Sequence, residues 1–350
     1  MKMRKKYMFF VQGLVIVFIF SFILFYNLNR SRVIVLYSYS NQVPEVVAFS
    51  EGFFNVTDDL KNPYIVNSYM NISRANSSEE RTRFGLKSRE FIDEFDPELI
   101  VAVGEEAQEY AARYYGGKSK IKVIFACIRD HHPYSYDTTP NVTGILEEMP
   151  LTPILEVLKE TYPQNIHPDN PLELIFLGDK SFRVTMEKDY ILRQKWHPFI
   201  VQDFIQLDTF EEWQHTIKSL QEQKKQAVIL LLNYDHLKIK KGCNGKVSSK
   251  DVLTWTLNHS PYPMIGLYEN HFYDGAFLSF FPSARESGQK AATYVQNVMK
   301  GKAAKDMTVS KTKQFMVGIR HTKHNPFPFV IPKSFEVIAQ TNNRYVDDEA

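Results

Sequence analysis

LIVAVGEEAQEYAARYYGGKSKIKVIFACI, which runs from Leu99 to Ile128, contains the unit that decides the fold. Its first residues are an unbroken apolar run, which is typical of a parallel strand buried on both faces. The residues from Glu105 predict a helix that ends at Gly116-Gly117. The apolar run IKVIFACI then predicts another strand. Strand, helix and strand in this order indicate a parallel β-α-β unit.

The same alternation continues on both sides of this unit, in two successive series. The other runs that predict strands are VIVLYS (Val33–Ser38), YIVNSYM (Tyr64–Met70), LELIFLGD (Leu172–Asp179), FIVQDFIQL, AVILLLN (Ala227–Asn233) and PMIGLY (Pro263–Tyr268). Helical patterns separate them; in one, Phe210, Trp213, Ile217 and Leu220 share a face. The fold class is therefore predicted as α/β, with two doubly wound parallel-sheet lobes.

The predicted domain layout follows from these two series. Residues 1–30 form a basic end and a membrane anchor, and 31–145 form the first lobe, joined by about 282–305. Residues 146–281 form the second lobe, joined by about 306–340, and 341–350 are a tail.

The N-terminus predicts a membrane anchor. MKMRKK carries four basic residues, and the stretch Tyr7–Tyr26 that follows has no charge. As a helix it would be roughly 30 Å long, the thickness of the hydrocarbon core. No small-x-small cleavage site follows Tyr26, so we expect an uncleaved signal anchor; a cleaved signal peptide is the alternative. The expected location is the inner (cytoplasmic) membrane, single-pass, with the lipid bilayer around Tyr7–Tyr26 and the body outside the cytoplasm (periplasmic).

Charge and cysteine content exclude some classes of protein. The chain has 42 Lys and Arg against 40 Asp and Glu; without the four basic residues of MKMRKK the counts are 38 and 40. A nearly neutral body without a clustered basic face predicts no nucleic-acid partner. Cys127 lies in an apolar run and Cys243 in a polar loop, so a disulfide between them is disfavoured.

The candidate binding residues are those that follow the predicted strands. In open parallel sheets, ligands bind beyond the carboxyl ends of the strands, where the strand order reverses. In the first lobe these positions hold Ser38, Tyr39, Ser40, Glu105, Glu106 and Asp130. In the second lobe they hold Asp179, Ser181, Asn233, Asp235 and Glu269. Two lobes that face each other across such ends form a cleft that can close.

Two enzyme classes fit the sequence poorly. A dinucleotide-binding lobe needs a G-x-G-x-x-G turn after its first strand, and this chain has SYSNQVP there. Asp130-His131-His132 resembles part of a metal phosphoesterase signature, but the neighbouring strand ends supply too few carboxylates for two metal ions. Adjacent histidines in an extended loop also point apart. We therefore interpret His131 and His132 as loop residues, expect no metal, cofactor or catalytic residue, and keep the phosphoesterase as a remote alternative.

Several motifs in order carry a family resemblance. Asn141-Val142-Thr143-Gly144 follows the Asp130 loop, LTPILEVLKETYPQ comes next, and PMIGLYENHFYDGAFLSFFPSARESGQKAATYVQNVMKGKAA lies further on. The chain resembles the ABC-transporter substrate-binding family of the type I periplasmic-binding-protein fold, in particular its tryptophan- and tyrosine-binding receptors. The resemblance covers roughly Val33–Ala304 and implies a hinge at Thr143 and Gly144.

The resemblance implies a solute-binding protein that closes on an amino acid or similar small ligand and delivers it to an ABC permease. The family often has Gly-Thr-Pro-Ala after the third strand, whereas this chain has Gly104-Glu105-Glu106-Ala107. Two carboxylates in the cleft would repel a ligand carboxylate, so a cationic or neutral ligand is expected. The alternative function is a ligand-sensing receptor of the same fold that regulates a membrane signalling partner.

Overall fold

Two sheets in which most strands are parallel carry the fold. The computed structural model describes residues 11–22, 30–57, 63–75, 77–118, 120–166, 171–223, 225–243 and 245–348. The strands are β1 (Arg32–Tyr37), β2 (Tyr64–Tyr69), β3 (Leu99–Val103), β4 (Lys122–Ile128), β5 (Val142–Leu146), β6 (Glu173–Asp179), β7 (Ile200–Leu207), β8 (Ala227–Leu231), β9 (Met264–Gly266), β10 (Leu278–Pro282), β11 (Ser310–Lys311), β12 (Phe315–His321) and β13 (Tyr345–Asp347).

Helices connect these strands. They are α1 (residues 11–22), α2 (Pro44–Thr57), α3 (Ser78–Phe95), α4 (Glu105–Tyr110), α5 (Leu151–Thr161), α6 (Phe182–Leu192), α7 (Phe210–Leu220), α8 (Ser249–His259), α9 (Glu269–Asp274), α10 (Ala284–Met299) and α11 (Lys333–Thr341). Short 3₁₀ turns lie at Ile72–Arg74, Ala112–Tyr115, His132–Tyr134, Tyr136–Thr138, Pro163–Asn165 and Ala304–Asp306. Helix α7 begins with a capping box formed by Thr209 and Glu212.

The strand order is the same at the start of both sheets. The first sheet runs β2-β1-β3-β4-β5-β11, and the second runs β7-β6-β8-β9-β10-β12-β13. When the strands of each sheet are numbered in chain order, both sheets begin with the order 2-1-3-4-5, which is a doubly wound arrangement. The predicted α/β class with two parallel-dominated sheets is confirmed. β12 departs from this pattern, because it runs antiparallel to β10.

The chain crosses between the sheets after β5, after β10 and after β11. After the second crossing, α10 packs against α2 of the first lobe at very short range. A Cβ atom on Gly288 would lie 2.1 Å from the Phe49 carbonyl oxygen, so only glycine permits this contact. The lobe boundaries given above stay a prediction.

The cores lie on both faces of each sheet. β3 and β8 are buried along their whole length. This burial explains why their sequences are continuous apolar runs without alternation. Cys127 is buried in β4, and Cys127 and Cys243 both have free thiols.

The predicted transmembrane anchor is wrong. Helix α1 is described over residues 11–22, which are part of the predicted span. Within the described part of the chain, no helix is both long and apolar enough to cross a membrane. Residues 7–10 and 23–26 of the predicted span lie outside the described residues. The predicted single-pass location in the inner membrane is corrected accordingly.

Candidate ligand-binding cleft

The strand order reverses between β1 and β3 in the first sheet and between β6 and β8 in the second. The predicted site residues Ser38, Glu105 and Asn233 follow three of these strands, and Asp179 is the last residue of β6. At such a point the two neighbouring connections leave on opposite faces of the sheet, which creates a crevice.

Ser38 connects the end of β3 to the start of α4 through its hydroxyl. Its hydroxyl donates to the Val103 carbonyl at 3.0 Å and accepts from the Ala107 N–H at 2.9 Å. Gly104, which precedes α4, has a positive φ of 92°, and a Cβ atom there would lie 2.6 Å from Ser38 Oγ. Ser38 and Gly104 therefore fix the start of α4, so that Glu105 and Glu106 take defined positions.

Glu105 is buried below the cleft surface. Its carboxylate accepts from the Arg129 N–H at 3.0 Å and from the Tyr134 hydroxyl. Burial raises the pKa of Glu105 to about 8, and these two hydrogen bonds oppose the shift only in part.

Glu106 faces the opposite lobe. Its Oε1 accepts from the Tyr39 hydroxyl at 3.1 Å. Its Oε2 is buried and has no hydrogen-bond partner among the described residues. Burial raises the pKa of Glu106, while Arg183 and His236 of the second lobe act against that shift. An unpaired buried carboxylate oxygen is costly, which makes this atom a candidate contact for a ligand donor.

The second-lobe wall is built around Asp179. The Asp179 carboxylate accepts from the Ser181 N–H at 2.9 Å, from Asn233 Nδ2 at 3.1 Å and from the His236 N–H at 2.9 Å. Ser181 in turn caps α6 by accepting from the Val184 N–H. Asp179, Ser181 and Asn233 thus form one hydrogen-bonded group that positions the start of α6.

The other predicted residues differ in burial and in their partners. Asp235 accepts from the Ser249 hydroxyl at 2.7 Å, and burial raises its pKa. Glu269 is paired with Arg344. Ser40 is half-buried beside Tyr39, and Asp130 lies in the loop after β4.

The predicted hinge residues lie inside β5. The Thr143 hydroxyl donates to the Met307 carbonyl at 2.9 Å, and a Cβ atom on Gly144 would meet the Phe125 carbonyl oxygen at 2.2 Å. The chain leaves the first sheet only after Leu146.

The strand-end rule finds Arg129, which directly follows β4, but misses the other residues that join the lobes. Arg183 of α6 donates through Nη1 to Glu45 of α2 at 3.1 Å and through Nε to Glu187 at 3.2 Å. Its guanidinium also lies over the Tyr268 ring at 4.3 Å. Arg129 of the first lobe lies with Nε 3.6 Å from Glu187. The lobes are thus held together by two arginines that reach across the cleft in opposite directions.

The cleft contains more acidic than basic groups. The carboxylates that interact electrostatically with one another or with the two arginines include Glu45, Glu105, Glu106, Glu147, Asp179, Glu187 and Asp235. The basic groups among them are Arg129, Arg183 and the imidazole of His236. Burial, together with the nearby Glu45, raises the pKa of Glu147 to about 7.

The contact between the lobes contains a small cavity. A cavity of about 20 Å³ lies between Glu45, Glu147, Arg183 and Tyr268, which is room for about one water molecule. The residues that line both this cavity and a groove of about 660 Å³ between α2 and the second lobe are Glu269, Phe281, Pro282 and Ala284. The cavity is too small for a solute, so we expect the lobes to move apart before a solute reaches the carboxylates that line it.

Two groups of side chains could hold a metal ion. Ligand atoms of Glu45, Cys127 and Glu147 lie within 4.8 Å of one another, but the Arg183 guanidinium already provides the positive charge at Glu45. Ligand atoms of Asp130, His131 and His132, in the loop after β4, also lie within 4.8 Å of one another.

Comparison with known proteins identifies the fold. No protein-family model and no curated protein sequence matches the chain. Among solved structures, an ABC domain in complex with L-Trp from Streptococcus pneumoniae matches with a TM-score of 0.63 and 15% identity over 89% of this chain and 98% of that one. A substrate-binding protein with adhesive properties from Clostridium difficile, in its ligand-free open form, matches with a TM-score of 0.58 and 15% identity over 91% and 98%.

A chain in the complex of the TorS sensor domain with TorT matches with a TM-score of 0.51 and 7% identity, over 87% of this chain and 98% of that one. At these identities the likenesses show the fold alone. The resemblance to the type I periplasmic-binding-protein fold of ABC substrate-binding proteins is confirmed at that level, and these neighbours are binding proteins or sensor assemblies.

Proposed function

We propose that the chain is the solute-binding protein of an ABC-type transport system and closes its two lobes on a small ligand. One observation carries the proposal: charged side chains from the carboxyl ends of both sheets meet across a cleft, in the pairs Arg183–Glu45 and Arg129–Glu187. The likeness to ABC substrate-binding proteins supports it. The ligand would be handed to an ABC permease without chemical change, so the chain is not an enzyme.

The ligand of this cleft carries a positive charge. Burial keeps Glu105 largely protonated near pH 7, but the remaining carboxylates still outnumber the two arginines, and a ligand cation would interact favourably with them. Glu106 Oε2, which has no hydrogen-bond partner among the described residues, is the acceptor for it, with the Tyr39 hydroxyl beside it. A ligand carboxylate would meet repulsion from the same groups.

A thermal-shift series with matched four-carbon compounds tests both the proposed solute binding and the proposed positive charge of the ligand. We expect 1,4-diaminobutane to raise the melting temperature, whereas 1,4-butanediol and succinate do not. A ligand at 100 times its Kd stabilises the folded chain by about 2.7 kcal/mol. Glu106→Gln is expected to weaken diamine binding about tenfold or more, and Glu90→Gln, on the exposed face of α3, is the matched control.

The outcomes distinguish a wrong ligand charge from the absence of solute binding. Stabilisation by succinate or L-tryptophan, but not by any amine, would refute the cationic ligand and leave the binding function in place. No stabilisation by amines, alcohols, acids or L-tryptophan would count against solute binding itself.

A sensor of the same fold is the second candidate function. The likeness to the TorS–TorT complex favours it, because that assembly pairs a sensor domain with a partner protein. In this case the ligand-bound chain would shift the conformational populations of a signalling partner. Co-purification in the presence of the ligand distinguishes the two: a permease is expected for transport and a sensor kinase for sensing.

A further inference from the structure

The loop after β4 brings two histidines and two aspartates into contact, away from the carboxylates of the cleft. His131 Nε2 lies 3.0 Å from Asp137 Oδ1, and His132 Nε2 lies 3.7 Å from the same oxygen. The centroids of the two imidazole rings are 4.6 Å apart. Asp130 Oδ1 lies 2.5 Å from His132 Nδ1.

The local backbone explains why two adjacent histidines face the same side. The sequence suggested an extended loop, in which neighbouring side chains point apart. In the structure His131 has helical dihedrals (φ −106°, ψ −12°), and a 3₁₀ turn follows at His132–Tyr134. Ser135 then adopts a left-handed conformation (φ 60°), which returns the chain so that Asp137 faces both imidazoles.

The ring positions are fixed by their neighbours. His131 stacks on the buried Phe125 ring, with centroids 5.5 Å apart and an interplanar angle of 15°. Asp130 accepts both the backbone N–H and Nδ1 of His132, so Nε2 of His132 stays directed away from Asp130. A carboxylate on the far nitrogen is the usual arrangement behind a metal-binding histidine, because it fixes the tautomer and the ring orientation.

The distances from the two imidazole Nε2 atoms to Asp137 Oδ1 fit ligands of one metal ion. Zn²⁺ binds imidazole nitrogen and carboxylate oxygen at about 2.0–2.2 Å with tetrahedral geometry, which places neighbouring ligand atoms about 3.3–3.5 Å apart. The two distances of 3.0 and 3.7 Å lie on either side of that spacing. Hydrogen bonding within the loop explains the shorter distance, but the longer one is beyond hydrogen-bond range.

We propose that His131 Nε2, His132 Nε2 and Asp137 Oδ1 bind one Zn²⁺-like transition-metal ion, with Asp130 orienting His132. Two imidazoles favour such ions over Mg²⁺ and Ca²⁺, which prefer oxygen ligands. His131 and Asp137 also line a cavity of about 390 Å³, so a fourth coordination position is open to water or a small ligand. The three proposed ligands are not among the carboxylates of the cleft, and the proposal does not depend on the ligand of the cleft.

Isothermal titration of the metal-stripped full chain with ZnCl₂ tests the site. We expect one Zn²⁺ per chain, and at least tenfold weaker binding in His131→Ala, His132→Ala and Asp137→Asn. Loss of an orienting carboxylate usually weakens metal binding 10- to 100-fold, so Asp130→Asn is expected to show a loss of that order. His324→Ala, in the exposed basic segment near the C-terminus, is the matched control and should bind Zn²⁺ as the wild type does.

Three results would overturn the proposal: no Zn²⁺ binding, unchanged binding in His132→Ala and Asp137→Asn, or loss of the bound Zn²⁺ to equal concentrations of Mg²⁺ or Ca²⁺. Because His131 packs on Phe125, His131→Ala is expected to disturb the loop as well. His132 and Asp137 are exposed, so their variants should melt close to the wild type and decide the question.

Discussion

Arg183 is expected to hold the lobes closed. Its guanidinium lies on the second lobe and donates to Glu45 of the first lobe at 3.1 Å, and only 12% and 22% of the two side chains are exposed. Arg183→Met keeps much of the side-chain length and removes the charge. In an open conformation both groups are hydrated, so the substitution destabilises the closed conformation more than the open one.

The magnitude follows from the environment of the pair. A hydrogen bond to a charged group contributes about 1.5–3 kcal/mol, and this pair is neither fully buried nor fully hydrated. At about 1.4 kcal/mol per factor of ten, its loss shifts the closed-to-open ratio roughly 10- to 100-fold towards the open form. Glu187 also loses a partner 3.2 Å away, which acts in the same direction because Glu187 is buried.

The distance between spin labels on the two lobes measures this shift. Lys87 of α3 and Lys218 of α7 are exposed positions for the labels, with Cys243 first replaced by serine. We expect a longer and broader distance distribution in Arg183→Met. Arg285→Met is the control, because Arg285 is half-exposed and pairs with Glu51 within the first lobe. Identical distributions in wild type and Arg183→Met would refute the role of Arg183 as the link between the lobes.

Three further predictions concern stability. Because burial raises the pKa of Glu105 from 4.5 to about 8, the unfolded chain releases that proton first, so the free energy of unfolding should fall as the pH rises from about 4.5 to 8. Urea titrations across this range should show a shallower fall in Glu105→Gln; an unchanged slope would contradict the assignment. Gly288→Ala should destabilise the chain by about 1–3 kcal/mol, because its Cβ would lie 2.1 Å from the Phe49 carbonyl oxygen. The control is Thr293→Ala on the exposed face of α10, which should change the free energy of unfolding by less than about 0.5 kcal/mol in the same urea titrations. Asp179→Asn should cost about 1–3 kcal/mol in thermal unfolding, since an amide cannot accept from three donors; an unchanged melting temperature would contradict this.

Much of the fold could be predicted because its strands are buried on both faces. β1, β3, β4 and β8 are largely apolar runs of five to seven residues, and such runs can be recognised in the sequence. β11 has only two residues, and β12 carries Arg320 and His321 at its exposed end. Neither was recognised in this way, so the antiparallel addition of β12 to the second sheet was missed.

The candidate site was only partly predictable for a geometric reason. The strand-end rule selects residues directly after a strand, such as Ser38 and Asp179, and these mostly fix the starts of helices. Arg183 and Glu187 lie further along, in the first two turns of α6, where long side chains can reach the other lobe. Arg183 and Glu187 are four residues apart and follow the Ser181 cap. This spacing places both side chains on one face of α6 and could have been recognised from the sequence.

The loop after β4 shows why residue type alone did not settle the question of metal binding. Asp130 has two partners: Oδ1 lies beside His132, and Oδ2 accepts from Arg193 of the second lobe at 3.1 Å. Opening of the lobes would break the contact with Arg193, which is mostly exposed and contributes little. The contact with His132 lies within one loop and would survive. The histidine cluster and the cleft are therefore mechanically separate, although Asp130 touches both, and a change in zinc affinity can be measured independently of lobe closure.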